Sequence, residues 1–63
     1  MLYDVLIMYS EYHSSVAKLY NRRVDFVDSI KDAARWAHKQ ETECLLKHPQ
    51  GVVFITITSV RNA

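Results

Sequence analysis

Cys44 and His48, four residues apart, are the first side chains in this sequence whose types and spacing suggest chemistry. A thiolate and an imidazole nitrogen are both good zinc ligands at such a spacing, but two ligands make only half of a tetrahedral site. His38 and His13 would have to be recruited by folding, and neither belongs to a recognisable ligand pattern, so a packed thiol and surface histidines are the favoured reading. A Cys-His nucleophile fails on similar grounds. It needs a third, orienting group and an oxyanion site, and a chain with a single glycine offers no loop for either. The same shortage excludes a phosphate-cradling loop, which draws backbone N–H groups together with several glycines. Asp25 and Asp28 flank the turn into the expected helix, where acids complement its positive end. No catalytic residue, metal or cofactor is therefore expected.

The basic residues have more pattern. Arg22 and Arg23 fall on the expected second strand, Lys31, Arg35 and Lys39 recur every four residues on the expected helix, and Arg61 follows the last strand. The helical three form a stripe opposite the core. Such a stripe is either a solvated face or a contact for an acidic partner surface or a nucleic-acid backbone. Trp36 lies well off the centre of the apolar stripe, so it either folds over the sheet edge as core or stands half exposed beside Arg35 with the make-up of an interface anchor.

The elements that position these groups follow from periodicity. Residues 2 to 9 alternate with Tyr3, Val5, Ile7 and Tyr9 on one side and Leu2, Asp4, Leu6 and Met8 on the other, as a strand does. Ser10 to Ser15 supply a polar turn without glycine, which suggests a longer, looser connection. Residues 16 to 27 suit either a short helix or a strand; Val24, Phe26 and Val27 favour the strand, as does the first strand's need for a partner. Ser29 with Asp32 resembles a capping box, and Ile30, Ala33, Ala34, Ala37, Cys44 and Leu45 fall on one helical stripe. Glu41 interrupts that stripe, where the helix is expected to fray or bend. Pro49 and Gly51 end it, giving a helix over 29–46. Residues 52 to 60 form a closing strand, with Val53, Ile55 and Ile57 on one side and Val52, Phe54, Thr56 and Thr58 on the other.

The order is strand, strand, helix, strand. A right-handed crossover from the second strand to the third makes those two parallel, with the first strand between them and antiparallel to both. The expected fold is α+β: a three-stranded sheet with one helix packed on one face. Phe54, Val52, Leu6 and Met8 then lie on an uncovered face, which is either tolerated or a docking surface. Free strand edges offer another route to a partner.

The 63 residues suffice for one domain, 1–63. A chain this short buries only about 60% of its unfolded surface, and one cysteine permits no intrachain disulfide, so the core should be thin and a partner chain helpful. The composition is 49% hydrophobic and includes four tyrosines, which fits aromatic surface used for contact. Eight Lys and Arg oppose seven Asp and Glu, so no overall field draws the chain to nucleic acid or anionic lipid. No apolar run approaches the roughly 20 residues of a membrane helix, and the N-terminal stretch lacks the basic start and cleavage site of a signal peptide. A cytoplasmic location is the simplest expectation, since a lone thiol stays reduced there.

The hairpin, the segment Asp28-Ser29-Ile30-Lys31-Asp32-Ala33-Ala34-Arg35-Trp36-Ala37 and the closing run Phe54-Ile55-Thr56-Ile57-Thr58-Ser59-Val60-Arg61 resemble the plan of a T-odd coliphage inhibitor of bacterial RNA polymerase. Several small anti-CRISPR proteins are similar in plan, and a T-even phage antitoxin shares the compact size and the helical tryptophan. The polymerase inhibitors place arginine in or beside the last strand to meet an acidic surface, a position that only Arg61 matches. The chain lacks the acidic bias of proteins that mimic DNA, which argues against a charge decoy. The resemblance implies a small non-enzymatic inhibitor, made by a phage and acting in the host cytoplasm. It would occlude a functional surface on a host protein or ribonucleoprotein complex, a CRISPR-Cas effector or RNA polymerase. Trp36, Arg35 and Lys39 would meet the partner from the helix, and Arg22, Arg23 and Arg61 from the sheet end. A structural homodimer and a small nucleic-acid-binding accessory protein are the alternatives.

Overall fold

The structure is a computed structural model and describes residues 2–26 and 29–60. Its elements are β1 (Leu2–Glu11), β2 (Lys18–Phe26), α1 (Ile30–Lys47) and β3 (Gly51–Val60). The sheet order is β2-β1-β3, with β1 antiparallel to both neighbours, and the helix packs on one face. This is the expected α+β arrangement. The ambiguous stretch is a strand from Lys18 onward, and Val16 and Ala17 precede it.

Central position suits β1 because it is apolar on both sides. Val5 and Ile7 are fully buried under the helix against Ala33 and Ala37, with Tyr3, Tyr20, Trp36, Val53 and Ile57 packed around them. The alanines let the helix approach closely, and the core is thin, as a chain of this length dictates.

The N-cap is Ser29, whose hydroxyl accepts from the Lys31 N–H at 3.1 Å. Asp32 stands 3.8 Å from Arg35 on the helix surface. At the other end the His48 N–H donates to the Cys44 carbonyl and the Gly51 N–H to the His48 carbonyl, each at 2.8 Å. A β-carbon on Gly51 would sit 2.9 Å from the His48 oxygen, so only glycine fits this turn without backbone movement.

Two expectations need correction. The buried helix stripe is Ala33, Ala37, Gln40 and Cys44, whereas Ile30, Ala34 and Leu45 are exposed. The helix is rolled toward β2, because Gln40 receives a hydrogen bond from Asn21 Nδ2 at 3.0 Å and thereby enters the core satisfied. Glu41 does not interrupt α1, which runs unbroken to Lys47 with Glu41 half-buried.

The connection from Glu11 to Lys18 is long, as expected, and opens with a tight turn. The Ser14 N–H donates to the Glu11 carbonyl at 2.9 Å. The residues between, Tyr12 and His13, have φ of 54° and 57°, the left-handed pair of a type I′ turn.

Candidate interaction surface

The sequence-derived site residues do not form one surface. Trp36 is half-buried against the core, and the Arg23 guanidinium lies 5.9 Å from its ring centroid. That distance is within cation–π range. Arg23 also donates to Asp25 at 2.5 Å. The tryptophan therefore takes the core placement, held between α1 and β2. Arg35 and Lys39 are exposed on the outer side of the helix. Arg22 projects from the opposite face of the sheet. Arg61 and Asp28 lie outside the described residues.

Cys44 and His48 are parted by their surroundings. Cys44 is fully buried; that burial, and secondarily the charge of Glu11, push its thiol pKa up, opposite to what a nucleophile or a zinc ligand needs. His48 Nδ1 sits 2.9 Å from Glu11 Oε1, and its ring stacks on Tyr9 with centroids 4.2 Å apart. Tyr9 meets Tyr20 edge-on, and the Lys47 ammonium lies over Tyr20. These contacts seal the helix C-terminus against the sheet. Among the described residues, no three His, Cys, Asp or Glu side chains gather as a metal site.

What remains is the sheet face that the helix leaves open. The register places Met8 beside Phe54 and Leu19, Leu6 beside Thr56 and Arg22, and Leu2 beside Val60. Phe54 is 51% exposed, and Val52 and Leu19 are each 60% exposed. Large apolar side chains this uncovered, gathered on one face, mark a contact surface more often than a bare one.

The charges set into this face cancel locally. Arg22 grips Asp4 with Nε to Oδ1 at 3.0 Å and Nη2 to Oδ2 at 2.6 Å, the two-pronged geometry that guanidinium and carboxylate favour. The hydrogen bonds from Arg22 hold the Asp4 carboxyl below its ordinary pKa, its charge adding to them and desolvation opposing. Arg22 is thus committed within the chain. Sequence reasoning missed this pair, which depends on β1–β2 pairing whose register shifts twice, and Asn21–Gln40, which joins β2 to α1.

No helix among the described residues is long and apolar enough to cross a membrane. No family model, curated protein or solved structure matches the chain.

Proposed function

We propose that this protein is a non-enzymatic binding module that covers a functional surface of another protein, with the open face of its sheet as the contact. The observation that supports this reading is the apolar patch of Val52, Phe54, Leu19, Leu6 and Met8, whose neighbouring charges, Asp4 and Arg22, neutralise each other. An apolar face whose charges cancel suits a protein surface of similar character. It does not suit a phosphate backbone, which rewards unpaired cations. The occluding inhibitor of a host complex implied by the phage-protein resemblance fits such a module. In that role the open face takes the place of Trp36 as anchor, and Arg35 and Lys39 stay on the far side of the helix.

The test adds wild-type protein and Phe54→Glu to transcription by purified bacterial RNA polymerase and, separately, to DNA cleavage by purified CRISPR-Cas effectors. Inhibition by the wild type that weakens by at least about tenfold in the folded variant supports the reading, since a central aromatic anchor contributes about 2 kcal/mol or more. Inhibition equally strong in Phe54→Glu removes the open face from the mechanism.

A further inference from the structure

The two edges of the sheet are built differently. The β2 edge carries Lys18, Arg22, Arg23 and Asp25, and its pairing with β1 is broken by two register shifts. Charges and bulges of this kind keep an edge from accepting another strand. The β3 edge has neither protection. Its ten residues pair with β1 in unbroken register from Gly51 to Val60 and include no charged residue and no proline. Along its outer side, alternate N–H and C=O groups turn away from β1 with no strand beside them among the described residues.

The helix points to the same edge. Trp36, Gln40 and Lys47 engage Arg23, Asn21 and Tyr20, all of β2, so that flank of α1 faces β2. At 100° per residue the other flank, bearing Ile30, Ala34 and Leu45, runs along the β3 side. It is left bare: Ile30 is 55% exposed, Leu45 41%, and Ile55 on β3 38%. The apolar stripe written into the helix is wider than one copy of the sheet covers, and its excess lies above the unguarded edge.

We propose that a second copy of this chain pairs with β3, antiparallel and about a two-fold axis, to give a continuous six-stranded sheet. An axis perpendicular to the sheet keeps both helices on one face. With strands about 4.8 Å apart and each helix seated over β1 and β3, the helix axes fall about 10 Å from each other, an ordinary packing distance. The bare flanks then meet across the axis above the paired Ile55 side chains. A foreign strand would occupy the edge but leave Ile30 and Leu45 in water. A second copy supplies strand and helix flank together, at the required offset. Symmetric pairing sets no like charges against each other on β3, and Glu41, the acidic member of the helix flank, lies 3.6 Å from His38, which opposes its charge only when protonated. The open face takes no part, so the dimer carries two copies of it side by side, and the inference stands whether or not that face binds a foreign protein.

Sedimentation equilibrium at micromolar concentration, with circular dichroism to confirm folding, tests this on wild type, Leu45→Glu, Ile55→Lys and Phe54→Glu. The expected result is a wild-type dimer, weakened at least about tenfold by each of the first two substitutions and unaffected by the third. Should Ile55→Lys not fold, Leu45→Glu decides, since Leu45 lies on the helix surface. A wild type that stays monomeric overturns the proposal. So does a dimer that survives Leu45→Glu, or one that only Phe54→Glu disrupts.

Discussion

Asp4 shows how one side chain ties pH to stability. Its carboxylate accepts both arms of Arg22, and these hydrogen bonds lower its pKa from the ordinary 3.8. A folded-state pKa depressed in this way contributes stability that is fully present above the unfolded value and is lost as pH falls through the folded one. Asp4→Asn should therefore melt lower than wild type near neutrality, and the two melting temperatures should converge as pH drops below 3.8. Parallel melting curves across the acid range would show that the pair contributes nothing. The residues themselves were visible in the sequence, Asp4 as the polar interruption of an apolar strand and Arg22 as part of a basic pair. Their bond was not, because it spans two strands and alternation alone does not fix which positions lie side by side. Trp36 is the converse case: its type suggested an anchor, and only the roll of the helix decided that it packs inward.

The elements were legible because each has a local cause. The helix boundaries follow from Ser29 at one end and Pro49 with Gly51 at the other, and β1 and β3 follow from period-two alternation. The helix's rotation was not legible, since it depends on Gln40 finding Asn21 across the core, and a glutamine gives no sign in sequence of having a buried partner. The tight turn that opens the β1–β2 connection was not legible for a related reason. Type I′ turns normally announce themselves with Asn-Gly, and here Tyr12 and His13 adopt the left-handed conformation instead. An L-residue there carries a steric cost of about 1–2 kcal/mol, partly offset in glycine by its greater freedom when unfolded. His13→Gly should accordingly raise stability by up to about 1 kcal/mol in urea titrations, with no change in helix content. A destabilised variant would mean that the imidazole makes up for its backbone.

For the whole molecule, three strands and one helix close around very few fully buried side chains, and many large apolar side chains stay exposed. That imbalance was readable from composition and length; where the surplus would lie was not, because it depends on which helix flank the sheet covers. The placement gives the molecule two distinct apolar regions on opposite faces, one spread across the open sheet and one beside the β3 edge. Topology adds something else. Leu2 pairs with Val60, so the first and last described strand residues are lateral neighbours, while the segment between Glu11 and Lys18 holds exposed residues at the far end of the sheet. A short glycine-serine bridge from Val60 to Leu2, with the chain reopened at Ser15, would give a circular permutant that runs from β2 through the helix into a β3–β1 hairpin. It should keep the native far-ultraviolet spectrum, because every strand pairing is retained while the β1–β3 pairing becomes local and the β1–β2 pairing becomes the long-range one.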